Sequence, residues 1–200
     1  MPTASQGFHP SVHAREHPDA AAIIMGSSGE VVTYAQLDER SNRFARLLAA
    51  RGLRPGDRIA ILMENNPRYL EVAWGAQRSG LYYTAINRHL RPGEVQYIVS
   101  DCGASVLVTS KGVGEVVGDL DLSGVVARLM VGGVAPGFES YEEEVAAQPP
   151  VPIATKLEGR EALYSSGTTG QPEGVRKELP LTPLGDPGAA PVAVAAGLLI

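Results

Sequence analysis

The sequence predicts an α/β fold in which a mostly parallel β-sheet is flanked by helices. Three observations support this prediction. The segment Arg58–Met63 is short and almost wholly apolar, as expected of a strand covered on both faces. Pro67 and Pro92 stand where helices are expected to begin. Strand-like and helix-like segments alternate along the chain, which favours right-handed crossovers into a parallel sheet.

The N-terminal part begins with a predicted strand pair. Ala21–Met25 and Glu30–Tyr34 flank a Gly-Ser-Ser-Gly turn. Thr33 stands at the N-cap position of the next segment, and Gln36 follows at the spacing of a capping box. Apolar residues of Tyr34–Arg51 recur on one helical face, so this segment is predicted to be a helix.

The remaining elements follow at a regular rhythm. Strands are predicted at Arg58–Met63, Leu81–Ile86, Ala104–Thr109 and Val125–Val131. Helices are predicted from Pro67 to Gly80, at Pro92–Asp101, at Gly114–Leu120 and, as an acidic helix, at Glu139–Ala147. This alternation places the strands in one sheet.

Four segments divide the chain. Residues 1–148 form the predicted α/β scaffold, and residues 149–160 form a connector that opens with a stiff Pro-Pro-Val-Pro sequence. Residues 161–177 are predicted to form a hairpin, and residues 178–200 to begin a following element. Because the apolar segment Pro191–Ile200 lacks a cap, a charge and a turn, we expect the chain to be a truncated part of a larger domain.

Composition excludes several classes of protein. Hydrophobic residues make up 44% of the chain and charged residues 20%, as in an ordinary globular protein. The net charge of -5 argues against a nucleic-acid partner. We expect no signal peptide and no transmembrane segment, since no run approaches the ~20 apolar residues of a spanning helix. Cys102 is the only cysteine, is predicted to lie in the core, and fits a cytoplasmic location.

A Ser/Thr/Gly-rich loop follows the predicted strand Glu161–Tyr164. Six consecutive residues, Ser165, Ser166, Gly167, Thr168, Thr169 and Gly170, supply four hydroxyls beside six backbone amides. Glycine lets the backbone approach a ligand closely, and successive amides form an anion-binding concavity. Pro172 stiffens the exit, and Val175 is placed to re-enter a strand. The pattern predicts a phosphate-binding loop, although a flexible linker has a similar composition.

Other nucleotide-binding loops do not match the sequence. A Walker A loop needs a Gly-Lys-Ser or Gly-Lys-Thr ending, which no window provides. The glycines of Gly112–Gly118 approach a dinucleotide fingerprint, but the last one stands one residue late. His9, His13 and His17 have helical spacing, but Pro10 and Pro18 are expected to interrupt a helix there, so a metal site is not predicted.

The segment Tyr164–Val175, YSSGTTGQPEGV, resembles the phosphate-loop signature of the adenylate-forming superfamily. Ten of its eleven defined positions agree with the signature. That superfamily contains acyl-CoA synthetases, peptide-synthetase adenylation domains and firefly luciferase. The upstream segment from Thr33 to Ser110 is similar to the N-terminal domain of bacterial fatty-acyl-CoA synthetases. The resemblance implies the N-terminal portion of such a large domain.

The resemblance also implies a chemistry. A fatty-acid carboxylate attacks the α-phosphate of ATP to form an acyl-adenylate, and coenzyme A then displaces AMP. Residues Ser165 to Gly170 would hold the β- and γ-phosphates, and Ser165 would contact Mg²⁺. The adenine site and the catalytic lysine would lie beyond Ile200. We therefore name no catalytic residue in this chain and expect it to be inactive alone.

One position departs from the family. Glu173 replaces a lysine, so a carboxylate would stand near the ATP phosphates. Three consequences are open: Glu173 turns to solvent, ATP binding is weaker, or Arg176 or Lys177 substitutes for the lysine. An aryl-CoA ligase, a carrier-loading adenylation domain and a non-catalytic nucleotide-binding module remain alternatives. A homo-oligomer is also left open.

Overall fold

The computed structural model of the chain describes residues 9–155, 157–165, 172–180 and 182–184. The strands are β1 Ala21–Ile24, β2 Val31–Thr33, β3 Arg58–Leu62, β4 Tyr82–Ala85, β5 Val106–Ser110, β6 Ala127–Val131, β7 Glu139–Ser140, β8 Arg160–Ser165 and β9 Glu173–Arg176. The helices are α1 Pro10–Glu16, α2 Tyr34–Ala50, α3 Arg68–Gln77, α4 Pro92–Asp101, α5 Gly114–Val117 and α6 Tyr141–Ala146, with a 3₁₀ turn at Lys111–Val113.

The predicted fold class is confirmed. Strands β3 to β9 form one sheet in the order β7-β6-β5-β3-β4-β8-β9. Every neighbouring pair in this sheet is parallel except β8–β9, which is antiparallel. β1 and β2 form a separate antiparallel pair. Apart from small shifts at their ends, the predicted strands and the helices α2, α3 and α4 are present.

Strand β3 supplies both halves of the hydrophobic core. Its residues alternate between the two faces of the sheet, so Ile59 and Ile61 enter one cluster while Ala60 and Leu62 enter the other. Helices α2, α3 and α6 cover the first cluster, and α4 and α5 cover the second. All four side chains are fully buried, which explains why this segment reads as a continuous apolar run.

Helix α2 begins as its sequence predicts. The Thr33 hydroxyl accepts a hydrogen bond from the Gln36 amide at 3.3 Å, and the Gln36 side chain accepts one from the Thr33 amide at 3.0 Å. This capping box satisfies two backbone amides that have no partner within the helix. Phe44, Leu47 and Leu48 then pack into the core.

A buried carboxylate joins the helices on this side of the sheet. Glu71 is 1% exposed, and its Oε1 accepts hydrogen bonds from Arg40 at 3.0 Å and Arg68 at 2.6 Å. The Tyr141 hydroxyl donates to Oε2 at 3.4 Å. Since a buried charge without partners is costly, these contacts fix how α2, α3 and α6 meet.

Two arginines of α2 hold the chain from the end of α6 to the start of the connector. Arg43 donates to the carbonyl oxygens of Ala146 at 3.1 Å and Gln148 at 2.5 Å. Arg46 donates to those of Val151 at 2.9 Å and Pro152 at 2.6 Å. The start of the connector thus lies against α2 at Val151 and Pro152, which belong to no helix or strand.

The expectation that prolines prevent a helix near the N-terminus is wrong. α1 begins at Pro10, and the His9 side chain caps it by accepting a hydrogen bond from the Ser11 amide at 3.2 Å. A proline at the first helical position removes no hydrogen bond, because that amide has no partner within the helix. Pro18 lies beyond the last helical residue.

The predicted acidic helix is also shorter than expected. Glu139 and Ser140 form β7 at the sheet edge, and α6 begins at Tyr141. Ser140 is the N-cap, since its hydroxyl accepts a hydrogen bond from the Glu143 amide at 3.3 Å. The predicted helix Gly114–Leu120 similarly ends at Val117. Both differences lie at element ends, where sequence patterns are least informative.

Two further predictions concern single features of the chain. Cys102 is buried at the C-terminal end of α4 and belongs to the second cluster, as predicted. In the part of the chain that the structure describes, no helix has the length and apolar character needed to cross a membrane.

His9 generates a prediction about pH. It is 3% exposed and packs edge-on against Trp74, with ring centroids 5.2 Å apart. Burial, followed by the charge of Arg78, lowers the pKa of His9 from 6.5 to about 3. The folded state therefore keeps His9 neutral, whereas the unfolded chain binds a proton below pH 6.5. Above pH 6.5 His9 is neutral in both states, and its burial does not reduce the free energy of unfolding. As the pH falls from 6.5 towards 3, only the unfolded state gains the proton, so the free energy of unfolding decreases.

We expect the wild-type chain to lose about 2 kcal/mol of unfolding free energy at pH 5 because of this proton. His9→Asn keeps a capping side chain but does not titrate in this range. Urea unfolding of both proteins at pH 7 and pH 5 measures the difference. Equal losses in the two proteins would show that His9 does not govern the acid response.

Candidate nucleotide-binding site

The loop predicted to bind phosphate is carried by the hairpin of β8 and β9. The register pairs Ser165 with Glu173, Tyr164 with Gly174 and Leu163 with Val175. Ser165 and Glu173 are both exposed and lie opposite each other at the loop end of the hairpin. The other predicted phosphate ligands, Ser166, Gly167, Thr168, Thr169 and Gly170, lie outside the described residues.

Strand β8 enters the sheet beside β4. The parallel pairing joins Arg160 to Tyr82 and Glu161 to Tyr83. Immediately before β8, the backbone of Gly159 crosses close to the backbone of Gln77 and Leu81. The Gly159 amide donates to the Gln77 carbonyl at 2.7 Å. A Cβ at Gly159 would lie 2.3 Å from the Leu81 carbonyl oxygen. Only glycine fits this crossing, which sets where β8 starts.

The chain leaving the hairpin is held at three points. The Tyr82 hydroxyl donates to the Lys177 carbonyl at 3.0 Å, and Arg160 donates to the Glu178 carbonyl at 2.8 Å. Further along, the Glu158 amide donates to the Thr182 carbonyl at 3.0 Å. These bonds place the outgoing segment next to the residues that lead into β8.

Tyr164 links the hairpin to α4. Its hydroxyl donates to Asp101 Oδ2 at 2.5 Å, and its ring packs against the second core cluster. Burial, followed by the hydrogen bond to Asp101, raises the pKa of the Tyr164 phenol above its ordinary value. Asp101 lies far from the motif in sequence, so sequence reasoning missed it. The tyrosine at the start of the motif was the available signal.

Charge near the loop end is mixed. Glu173 and Lys177 are both exposed, and the side chain of Arg176 lies outside the described part of the chain. A separate cavity of about 370 Å³ lies where β4 and β5 end, lined by the basic side chains of Arg88, His89 and Lys111 together with Glu115. Of the described residues of the motif, Tyr164, Ser165 and Glu173 do not line it.

The three N-terminal histidines have different surroundings. His9 packs against Trp74, and His13 lies beside Tyr34 with ring centroids 4.9 Å apart. His17 is the C-cap of α1. Within the described residues, no group of three histidine, cysteine or carboxylate side chains is arranged to hold a metal ion.

Comparison with known proteins agrees with this fold. Residues 11–177 match the model of the AMP-binding enzyme family. The chain therefore belongs to that family. The match ends within two residues of β9, so it includes the whole hairpin.

Two curated relatives illustrate the range of the family. The chain is 32% identical over 170 residues to a fatty acid–[acyl-carrier-protein] ligase, ScoC, of Streptomyces coeruleorubidus, covering 82% of this chain and 31% of that protein. It is 35% identical over 169 residues to a feruloyl-CoA synthase of an Amycolatopsis species, covering 84% and 32%. The chain thus spans about a third of the length of these relatives.

A solved structure shows the same architecture. The N-terminal domain of FACL13 from Mycobacterium tuberculosis, crystallised with an inhibitor, superposes with a TM-score of 0.73 at 28% identity. The alignment covers 85% of this chain and 44% of that one. This likeness confirms the predicted relation to the N-terminal portion of an acyl-CoA synthetase-like domain.

The crossing at Gly159 generates a stability prediction. Gly159→Ala places a methyl group against backbone atoms of Leu81, so β8 must shift or the crossing must open. We expect a loss of about 1–3 kcal/mol in unfolding free energy, measured by urea denaturation. Gly93→Ala is the matched control, because nothing lies within 4 Å of its Cβ position. A loss at Gly159 no larger than that at Gly93 would contradict the close crossing.

Proposed function

We propose that a protein carrying this chain activates a fatty acid with ATP. The fatty-acid carboxylate attacks the α-phosphate, which forms an acyl-adenylate and releases pyrophosphate. The thiol of coenzyme A then displaces AMP to give acyl-CoA. The β8–β9 hairpin carries this proposal, because it presents the two ends of the Tyr164–Val175 motif in register within a chain of the AMP-binding family.

The loop contributes by positioning phosphates. Backbone amides of Ser165 to Gly170 and the four hydroxyls among them are proposed to hold the β- and γ-phosphates of ATP. Held in this way, pyrophosphate is oriented as the leaving group of the first step. Hydrogen bonds from these donors would also stabilise the negative charge that develops on it.

The residues present fit a weakly anchored Mg²⁺. The exposed hydroxyl of Ser165 is an oxygen ligand of the kind that Mg²⁺ prefers, and the described residues form no preassembled metal cage. Mg²⁺ commonly binds through one or two protein ligands together with substrate phosphates. When bound, it would neutralise phosphate charge.

An aryl-CoA ligase is the second candidate. Identity to the feruloyl-CoA synthase is 35%, against 32% for the fatty acid–[acyl-carrier-protein] ligase. The latter relative also keeps a carrier-protein acceptor as an alternative to coenzyme A. Assaying the full-length protein encoded with this chain, with fatty acids and ferulate as substrates, tests the choice. Release of pyrophosphate with ferulate but not with fatty acids would overturn the first proposal.

We predict that the 200-residue chain alone does not catalyse adenylation. The relatives are about three times as long, so about two thirds of their length lies outside the matched segment. The check is ATP–pyrophosphate exchange dependent on a fatty acid, measured beside the full-length protein. Exchange by the short chain would refute this prediction. ATP binding without exchange even at full length would instead favour a non-catalytic module.

Glu173 generates a prediction about ATP affinity. Glu173→Lys restores the charge found in the family signature, and the side chain is exposed. Because exposed charge pairs contribute up to about 1 kcal/mol, we expect ATP to bind at most about fivefold more tightly. Isothermal titration measures this change.

Glu178→Lys is the matched control, since it changes the net charge equally at another exposed position. A gain in both variants would point to the overall field of the protein rather than to a local contact. No gain at Glu173 would show that the position is incidental to ATP binding.

A further inference from the structure

The loop end of the hairpin extends beyond its support in the sheet. In the described part of the chain, the pairing of β8 with β4 comprises only Arg160 and Glu161. From Ala162 to Ser165, β8 pairs with β9, which is the last strand in the sheet order. A two-stranded ribbon of this kind is only marginally stable without another contact. The position of Ser165 therefore depends on what holds the ribbon.

Tyr164 supplies that contact through Asp101. The hydroxyl donates to Asp101 Oδ2 at 2.5 Å, and the ring packs against the second core cluster. Helix α4, which ends at Asp101, is anchored by Val95, Ile98 and Val99, each no more than 3% exposed. Asp101 is thus attached to a rigid part of the molecule.

The place of Asp101 is unfavourable for the helix itself. A carboxylate in the last turn of a helix faces the negative end of the helix dipole. Its hydrogen bond with Tyr164 gives this side chain a role that the stability of α4 does not explain. A lysine would suit the helix end better but could not accept a hydrogen bond from the tyrosine hydroxyl.

The opposite strand is fitted to the same contact. Gly174 pairs with Tyr164 across the hairpin. A Cβ at Gly174 would lie 3.0 Å from Tyr164 Cζ and 3.1 Å from its hydroxyl oxygen. The ring therefore lies over the glycine, and a side chain there would press on the atoms that reach Asp101. Asp101, Tyr164 and Gly174 form one connected unit.

We propose that Asp101 and Tyr164 are positioning residues that set the orientation of the phosphate loop. Tyr164 immediately precedes Ser165, the first residue of the loop, so its anchoring fixes where the loop begins. The anchoring of the hairpin stands on the contacts above, while its consequence for phosphate binding rests on the proposed function. The proposed role is to hold Ser165 in place, and no contact of Asp101 or Tyr164 with the phosphates is proposed.

Hydrogen exchange tests the anchoring without any ligand. Tyr164→Phe removes the hydroxyl and keeps the ring, and we expect amides of β9 to exchange about threefold to tenfold faster while those of β5 are unchanged. Asp101→Ala should have the same effect, and Asp101→Asn, which retains an acceptor oxygen, a smaller one. Combining Tyr164→Phe with Asp101→Ala should add little, because both remove one hydrogen bond.

Tyr97→Phe is the matched control. Tyr97 packs against the same cluster as Tyr164 and is on α4, but its hydroxyl has no hydrogen bond in the described part of the chain. Loss of the Tyr97 hydroxyl should leave the hydrogen exchange of the β9 amides unchanged. Unchanged exchange in Tyr164→Phe, or additive effects in the double variant, would overturn the proposal.

Titration with ATP tests the consequence for the site. In the full-length protein that contains this chain, Tyr164→Phe should raise the Kd for ATP about threefold to tenfold, while Tyr97→Phe should not. An unchanged Kd with faster exchange would limit the role of the unit to stability and overturn the positioning proposal. Absence of ATP binding by the wild-type full-length protein would count against the proposed phosphate loop, and the exchange data would then decide the anchoring alone.

Discussion

The structure depends on the burial of strand β3 on both of its faces. Ile59 and Ile61 enter one core cluster and Ala60 and Leu62 the other, so helices must cover the sheet on each side. Parallel neighbours on both sides of β3 satisfy its backbone groups. The other strands lie on both sides of this centre, and the hairpin that carries the candidate site lies at one edge of the sheet.

Charged side chains then fix how the helices meet. Glu71 is buried between Arg40 and Arg68, and the guanidinium of Arg78, 4% exposed, pairs with Asp38 at 2.6 Å. Buried ion pairs add little net stability over apolar packing, yet removing one partner is costly. Their effect here is to select one arrangement of α2 and α3. Arg46 extends this order to the connector that leads the chain towards β8.

Sequence patterns predicted most of the scaffold because local physics decides it. The capping box at Thr33 depends only on neighbouring residues, and the continuous apolar run of β3 reflects burial on two faces. Helix α1 was missed because a proline was treated as a helix breaker, although it is well tolerated in the first turn. β7 was missed because Glu139 and Ser140 become a strand only by pairing with β6.

For the candidate site, the sequence by itself determined the family motif and the hairpin that carries it, since strand, turn and proline signals are local. It also identified the carboxylate of Glu173 at a position where the family has a lysine. The tertiary structure alone decided that β8 lies beside β4 and that Tyr164 reaches Asp101. Residues 63 positions apart in the chain leave no shared periodicity or spacing from which a contact could be inferred. Only the packing of α4 against the sheet brings them together.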